Sequence, residues 1–304
     1  MKKIFVLMLA ALLALSCFAF AACSGETVDP SQTNQPGGAP ENTGTTPDNM
    51  INSYIQFSGT SYTASDSSAL KVDGSALAIT KAGTYEISGT LENGQIIVEV
   101  TKAERVTLIL TNCTGQNESS AVIWVKSADK VYIEVKEGTV NTLTDGATYV
   151  FANPTDTKPN ACIYASDDLS IKGSGTLIVT GNYNNAIGCK NDVSINNAKV
   201  TVKAVNNAIK GNGSVTIKGD ADVLVEGADD AIKTDSLDVG KGFLLVTENA
   251  KVTVYCEDDG LQATQDITIT TGATVTTYAK GNAVNCDGTV NIDEGTLTEN
   301  TPEA

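Results

Sequence analysis

Two pairs of adjacent aspartates carry the clearest chemistry in this sequence. Asp229-Asp230 and Asp258-Asp259 are 29 residues apart, and each pair precedes a small residue and an aliphatic one. Carboxylates that are brought close together repel one another unless a cation lies among them. Calcium takes about six to eight oxygen ligands, including carboxylate and amide oxygens. If the two pairs meet in the fold, they predict a calcium site, and the alternative is a solvated acidic edge without a tightly bound ion.

The phrase that contains these aspartates recurs along the chain. Its aliphatic position advances in steps of 24, 22, 23, 29 and 23 residues through Ile163, Ile187, Ile209, Ile232, Leu261 and Val284. A repeat of this length is typical of stacked units, because one unit cannot bury its own apolar face. The aspartate pairs therefore belong to adjacent units. The predicted calcium ligands are Asp229, Asp230, Asp258, Asp259, Asn207 and Asp235.

Each repeat contains three short runs in which polar and apolar residues alternate. In the repeat that begins at Asn185, these runs are residues 186–189, 192–195 and 199–203. Alternation predicts strands, and none of the runs has helical spacing. The fold class predicted is therefore all-β, a single right-handed parallel β-helix of about eight coils, with the handedness that parallel crossovers prefer. Residues 139–158 and 235–242 interrupt the period and are predicted to be inserted loops.

Stacked repeats place equivalent side chains in rows, and side chains alternate between the two faces of a strand. The aliphatic row, which starts at Ile97 and Ile123, is predicted to be core. The next row is predicted to point outward and contains Val98, Trp124, Tyr164, Gly188, Lys210, Lys233, Gln262 and Asn285.

Four residues of the outward row form the predicted carbohydrate site. Trp124 beside Tyr164 would make an apolar platform of the kind on which sugar rings stack. Lys210 and Lys233 would continue the row and face carboxylates or hydroxyls of the same glycan. The alternative interpretation is that the inserted loop at residues 139–158 covers both aromatic rings.

The composition excludes several classes of protein. The chain has 20 Lys and Arg against 36 Asp and Glu, a net charge of −16, which excludes a general nucleic-acid binder. It has no histidine, which excludes a Ser-His-Asp triad and a His-ligated zinc site. Five cysteines follow Cys23 and form no CxxC pair, so we expect buried thiols rather than a metal site.

The amino-terminal residues predict export and lipid anchoring. Lys2-Lys3, an apolar run and small residues form a signal peptide over residues 1–22. Residues 20–23 resemble a bacterial lipobox, which makes Cys23 the predicted lipidation site; a soluble secreted form and an uncleaved anchor are the alternatives. Residues 23–52 predict a disordered tether, and residues 53–304 the β-helix domain. We expect a monomer on the outer face of the cytoplasmic membrane of a Gram-positive bacterium, in contact with the membrane only through its anchor.

Residues 79–292 resemble the clostridial carbohydrate-binding domain family. The segments that carry the resemblance are 82–91, 141–146, 160–169 and the phrase Asp258-Asp259-Gly260-Leu261. The resemblance implies a right-handed parallel β-helix similar to pectate lyases, binding of cellulose and acidic, pectin-type polysaccharides, and calcium near the groove. Asn184-Asn185 and Asn206-Asn207 stand where relatives often carry Asp-Asp, which predicts weaker calcium affinity.

Three functions are compatible with these observations. The first is a non-catalytic, polysaccharide-binding lipoprotein that holds plant cell-wall or other acidic glycans, with calcium as a possible aid. The second is a calcium-dependent polysaccharide lyase, in which a base removes the proton beside a uronate carboxylate. Without histidine, that base would be Lys233 or Lys210. The third is a structural adhesin or spacer.

Overall fold

The computed structural model describes residues 50–301, and all regular structure in that range is β-strand. The predicted signal peptide, Cys23 and most of the predicted tether lie outside the described residues. The first strand begins at Ile51, so the folded domain starts slightly before the predicted boundary at residue 53. Between residues 50 and 301 there is no helix with the length and apolar character that a membrane span requires.

The first five strands form the amino-terminal part of the domain. They are β1 (Ile51–Gly59), β2 (Ser61–Ala64), β3 (Leu70–Asp73), β4 (Ala76–Ile79) and β5 (Gly83–Leu91). β1 pairs in parallel with β5 and antiparallel with β2, and β3 pairs antiparallel with β4. These pairings give partners to backbone groups at one end of the stack, which would otherwise be an open sheet edge.

The remaining strands repeat in a regular order. They are β6 (Gln95–Glu99), β7 (Arg105–Asn117), β8 (Ile123–Ser127), β9 (Lys130–Val135), β10 (Val140–Asp145), β11 (Ala161–Ala165), β12 (Asp168–Gly173), β13 (Thr176–Gly181), β14 (Asn185–Cys189), β15 (Asp192–Asn196), β16 (Lys199–Ala204), β17 (Ile209–Gly211), β18 (Ser214–Lys218), β19 (Asp222–Glu226), β20 (Ile232–Lys233), β21 (Phe243–Val246), β22 (Lys251–Cys256), β23 (Leu261–Ala263), β24 (Ile267–Ile269), β25 (Thr274–Ala279), β26 (Val284–Cys286), β27 (Val290–Ile292) and β28 (Leu297–Glu299).

These strands occupy three columns. Every third strand, from β8 and β11 to β26, joins β6 and β4 in a 10-stranded sheet, which we call the small sheet. The other two columns belong to an 18-stranded sheet, the large sheet, in which β9 pairs with β12 and β10 with β13, and so on to the end of the chain. Apart from the short hairpins near the amino terminus, the pairs are parallel. This arrangement is consistent with the predicted parallel β-helix.

The core consists of stacked aliphatic rows. Along β16, Val200 and Val202 are 1% and 0% exposed, whereas Lys199 and Lys203, which flank them on the outward face, are exposed. Val200 lies in register between Leu177 of β13 and Val223 of β19. Full burial of one such side chain contributes about 1.5–3 kcal/mol, so the alternation along each strand determines which face turns inward. The five cysteines of the described residues are free thiols, four of them buried, as expected.

The predicted register is wrong by one residue in β6. Ile96 rather than Ile97 pairs with Ile123, and Ile97 pairs with Trp124, while Val98 is fully buried. Three consecutive apolar residues in this strand hide the alternation, and a shift of one residue turns every side chain to the other face. The rest of the outward row is in register as predicted, from Trp124 to Asn285.

The first predicted insertion is shorter than the sequence indicated. Residues 140–145 form β10, in which Asn141 and Leu143 are fully buried, and the inserted loop covers residues 146–160. Two of the three inward positions of β10 hold the polar residues Asn141 and Asp145, which obscured its alternation. The second insertion lies between β20 and β21, at residues 234–242.

Candidate functional site

The outward row of the small sheet brings Trp124 and Tyr164 side by side, but not as an open platform. Tyr164 is only 4% exposed, and the Nζ of Lys158, from the inserted loop, lies 5.3 Å from the centre of its ring. Trp124 is half-buried, with the Nζ of Lys126 4.6 Å from its ring centre. The interpretation in which the inserted loop covers the ring therefore holds for Tyr164.

The inserted loop is held in place by Tyr149. Its hydroxyl donates a hydrogen bond of 2.6 Å to Asp145 Oδ2 at the end of β10, and its ring stacks on Tyr183 with centres 4.1 Å apart. The other carboxylate oxygen of Asp145 accepts a hydrogen bond of 2.5 Å from the backbone N–H of Asn182. Burial raises the pKa of Asp145 to about 6, and the hydrogen bonds from Tyr149 and Asn182 oppose this shift. These contacts fix the start of the inserted loop against β10 and the turn that contains Tyr183.

A cleft of about 270 Å³ opens on the small sheet beside Tyr164. Gly188 occupies the outward position between Tyr164 and Lys210, and the missing side chain leaves room there. A β-carbon at Gly188 would lie 3.0 Å from the Ala161 β-carbon. The cleft is lined by Lys158, Asn160, Tyr164, Asn185, Gly188, Cys189, Lys190, Lys210 and Asn212.

Three lysines line this cleft in a protein of net charge −16. The Nζ of Lys210 lies 2.6 Å from Asp235 Oδ2. Burial of Lys158, together with the nearby charge of Lys210, lowers the pKa of Lys158, and the charge of Asp235 partly offsets the shift. An anion that binds in this cleft would stabilise the charged ammonium groups of the lysines, and this interaction would favour its binding. Lys158 is not among the predicted site residues, although its place at the end of an inserted loop is a signal for a binding residue.

Asp230, Asp258 and Asp259 form the acidic cluster, in which one carboxylate oxygen of each lies within 4.8 Å of the others. Asp230 and Asp259 are 4% and 3% exposed, whereas Asp258 is exposed. The negative charge of Asp259, followed by desolvation and the charge of Asp230, raises the pKa of Asp258. The two aspartate pairs therefore meet on adjacent repeats through these three residues.

Two predicted metal ligands lie outside the acidic cluster. The side chain of Asp229 is exposed, because it alternates with the inward Asp230 at the turn. Asp235 pairs with Lys210, because it lies beyond β20 at the start of the second insertion. Neither residue contributes to the group of close carboxylate oxygens.

Hydrogen bonds hold the buried members of the acidic cluster. Asp230 Oδ2 accepts a hydrogen bond of 2.9 Å from Lys233 Nζ. Asp259 Oδ1 accepts hydrogen bonds of 2.9 Å from the backbone and side-chain amides of Asn282, and its Oδ2 accepts one of 2.5 Å from Asn285. Burial raises the pKa of Asp259, but the hydrogen bonds from Asn285 and Asn282 outweigh it, so its pKa lies below the usual value.

Two amide oxygens beside the acidic cluster are unusual. Within residues 50–301, Asn207 Oδ1 and Gln262 Oε1 are buried and have no hydrogen-bond partner. Asn207 Nδ2 donates to Asn185 Oδ1 at 2.8 Å on one side, and Asp230 is the next residue of the stack on the other side. Gln262 Nε2 lies 3.5 Å from Asp259 Oδ2. Buried acceptors normally have partners, and oxygen atoms next to three carboxylates fit the ligands that calcium prefers.

The predicted ligand Asn207 therefore fits a cation site, and Gln262 joins it. Gln262 belongs to the predicted outward row but is not among the predicted metal ligands. In the fold, Gln262 pairs in register with Lys233, which brings its amide next to the acidic cluster. Residues that could hold the metal are Asp230, Asp258, Asp259, Asn207 and Gln262.

The stacked parallel strands carry a lysine-lined cleft and an acidic cluster beside the small sheet, and they have a polysaccharide lyase-like fold. A family model described as carbohydrate-binding domain-containing protein matches residues 73–302, and the chain belongs to this family. A carbohydrate-binding domain-containing protein of Acetivibrio thermocellus is 38% identical over 247 residues, which are 81% of this chain and 86% of that protein. The structure of the polysaccharide lyase-like protein from C. thermocellum, a gadolinium derivative, is 40% identical, with a TM-score of 0.79 over 82% of this chain and 100% of that one. The resemblance recognised in the sequence is confirmed.

Proposed function

We propose that this protein binds acidic polysaccharides, without cleaving them, in the cleft beside Tyr164. The observation that carries the proposal is the concentration of Lys158, Lys190 and Lys210 around one cleft of an otherwise acidic chain. Lysine ammonium groups bind carboxylates through charge-assisted hydrogen bonds. The asparagine side chains in the cleft wall can bond sugar hydroxyls, and the half-exposed ring of Trp124 extends the surface along the row.

The ion pairs of Lys210 and Lys233 favour binding over cleavage. The lyase alternative needs an uncharged lysine as the base, but Lys210 pairs with Asp235 and Lys233 pairs with Asp230. A neighbouring carboxylate stabilises the protonated form of a lysine. Both lysines therefore suit the role of ligands for a glycan carboxylate better than the role of bases.

One observation supports the lyase alternative at a residue that the sequence did not indicate. Burial and the charge of Lys210 lower the pKa of Lys158, which increases the fraction of its uncharged amine. That amine lies in the cleft and could accept the proton beside a uronate carboxylate. Lys158 is therefore the candidate base of a second proposed function, a polysaccharide lyase.

We further propose that the acidic cluster binds calcium. Three carboxylates and two buried amide oxygens support this proposal. Bound calcium would neutralise the repulsion among the carboxylates, and any ligand position left open would accept an oxygen of the glycan. The cluster and the cleft share the outward row, since Lys210 of the cleft pairs in register with Lys233.

The setting of the domain follows the sequence predictions. We propose a right-handed β-helix of about eight coils, held as a monomer at the bacterial surface by a lipid on Cys23 and by the tether that follows it. In this setting the cleft would face glycans outside the cell.

The test is binding of the purified protein to polygalacturonate and to insoluble cellulose, with calcium and with a chelator. Lys158→Met should lower the affinity for polygalacturonate about tenfold, a loss of about 1.4 kcal/mol. Lys199→Met is the matched control, since Lys199 is exposed on the large sheet. Absorbance of unsaturated product in the same samples would support the lyase. Absence of binding to both glycans would reject the proposal and favour the structural adhesin or spacer.

A further inference from the structure

Lys210 and Lys233 are neighbours in register on β17 and β20, yet they turn to different carboxylates. Lys210 Nζ lies 2.6 Å from Asp235, on the side of the cleft. Lys233 Nζ lies 2.9 Å from Asp230, on the side of the acidic cluster. Two like charges on adjacent strands repel each other, so the two carboxylates determine the direction in which each lysine points.

The oxygen that Lys233 contacts is central to the acidic cluster. The side chain of Asp230 is 6% exposed, and its Oδ2 accepts the hydrogen bond from Lys233. Its Oδ1 lies 3.3 Å from the backbone nitrogen of Asp259. A cation held by Asp230, Asp258 and Asp259 would need the same carboxylate of Asp230.

Lys233 neutralises only part of the negative charge of the acidic cluster. It brings one positive charge to three carboxylates, which leaves an excess of two negative charges if all three are ionised. An ammonium group has three N–H donors, yet Asn207 Oδ1 and Gln262 Oε1 lack a donor in the part of the chain that the structure describes. A divalent cation brings twice the charge and coordinates about six to eight oxygens, so it could take both amide oxygens as well.

We propose that Lys233 and a divalent cation compete for Asp230, so that cation binding turns the Lys233 ammonium group away from the acidic cluster and toward the cleft. This inference rests on the calcium site of the proposed function. The released ammonium group lies beside Lys210 and adds a fourth lysine to the three that line the cleft. A glycan carboxylate then binds more tightly when the cation is bound, and by linkage the cation binds more tightly when the glycan is bound.

Calorimetric titration of calcium chloride into the full-length protein and its Lys233→Met variant tests the competition. Methionine keeps most of the length of lysine without its charge. The variant should bind calcium about tenfold more tightly or better, because the competing charge is gone. The matched control is Lys280→Met, which removes a lysine that lies 2.6 Å from Glu257 in the neighbouring turn. Equal tightening in both variants, or none in Lys233→Met, would overturn the proposal.

A second measurement follows Lys233 itself. The protein is treated with an amine-acylating reagent, and modification is mapped by peptide mass spectrometry with and without calcium. Labelling of Lys233 should rise with calcium, while labelling of the exposed Lys199 stays constant. Unchanged labelling of Lys233 at saturating calcium would contradict its release.

These experiments separate the failure of this inference from that of the proposed function. Calcium binding without tightening in Lys233→Met rejects the competition and leaves the calcium site in place. No calcium binding in either protein rejects the calcium site and the competition together. Polygalacturonate binding in chelator, measured separately, then decides whether the glycan proposal stands without a metal.

Discussion

Asn207 and Asp230 occupy successive positions of one stack, and the step between them is the place where its hydrogen bonding is interrupted. Below this step, Asn185 Oδ1 accepts a hydrogen bond of 2.8 Å from Asn207. Above it, Asp259 Oδ1 accepts one of 2.9 Å from Asn282. Asn207 Oδ1 itself is buried and finds no donor among residues 50–301. The sequence changes from asparagine to aspartate at this step, and a cation would supply the partner that the change removed.

We expect Asp258→Asn to weaken calcium binding about tenfold or more, because it removes one charge from the acidic cluster. Asp229→Asn is the matched control. It removes the same charge from an exposed aspartate outside the cluster and should change calcium affinity about twofold or less. Calorimetry of both variants measures the difference. Equal losses of calcium affinity in the two variants would show that the net charge of the protein, and not the acidic cluster, determines calcium binding.

Asn207→Ala should lower calcium affinity while Asn206→Ala leaves it nearly unchanged. Asn207 has a buried side-chain oxygen without a hydrogen-bond partner within residues 50–301, whereas the side-chain nitrogen of Asn206 donates to Asn184 at 2.8 Å. Loss of one neutral oxygen ligand should cost less than loss of a carboxylate, about threefold to tenfold in the dissociation constant. Calorimetric titration of each variant with calcium gives both dissociation constants. A larger effect of the Asn206 change would place the metal elsewhere.

Gly188→Gln should block glycan binding without unfolding the protein. The new side chain would enter the space between Tyr164 and Lys210, and Gln262 occupies the same row two strands beyond Lys210. Its β-carbon would lie 3.0 Å from the Ala161 β-carbon, so a small adjustment is needed, with a cost of about 1–3 kcal/mol. Urea unfolding and polygalacturonate binding should be measured together. Full glycan affinity in a folded variant would show that the ligand does not use this cleft.

The stability of the protein should fall as pH rises from about 4 to about 6, owing to Asp145. Burial raises the pKa of Asp145 from 3.8 to about 6 in the folded state. The folded state therefore binds this proton more tightly than the unfolded state does, and the contribution is lost as pH rises through the folded pKa. It amounts to roughly 2–3 kcal/mol.

The variant Asp145→Asn isolates that contribution. It should flatten the fall in unfolding free energy over this pH window, measured by urea denaturation at each pH. Asp156→Asn, on the exposed part of the same inserted loop, should leave the wild-type profile intact. The same slope in wild type and in Asp145→Asn would assign the pH dependence to other groups.

Ile187→Ala should destabilise the domain by about 2–5 kcal/mol, because it leaves a cavity in a stacked aliphatic row. Ile187 is 0% exposed and lies in register between Ile163 and Ile209. Val205→Ala provides the contrast, since Val205 is 63% exposed and its truncation should cost about 0.5 kcal/mol or less. The free energy of unfolding of both variants is measured by urea denaturation.

Periodicity in the sequence predicted most of the architecture. Ile163, Ile187, Ile209 and Ile232 are fully buried and in register, as the repeat predicts. The predicted register is wrong in β6, because Ile96, Ile97 and Val98 are all apolar and show no alternation. Only contact with Trp124 and Val125 in the folded sheet determines which of the three faces outward.

The candidate site could be predicted less completely than the core. Core positions follow from the local alternation of polar and apolar residues. The contact of Asp230 with Asp258 and Asp259 follows from the repeat, because stacking brings residues at equivalent positions together. Asp235 is near Asp230 in sequence, but the second insertion carries it to Lys210. The repeat does not determine the path of an inserted loop.

The sequence by itself determined the stacked all-β fold, the outward row and the meeting of the aspartate pairs, since each depends on a repeated spacing that burial of apolar side chains enforces. The tertiary structure alone decided that Tyr164 is covered, that Lys158 enters the cleft, and that Asn207 Oδ1 is left without a donor. Those features arise where an inserted loop folds back on the stack, or where one side chain in a ladder differs from the next. Such contacts depend on three-dimensional packing and hydrogen-bond geometry, which the spacing of residues does not encode.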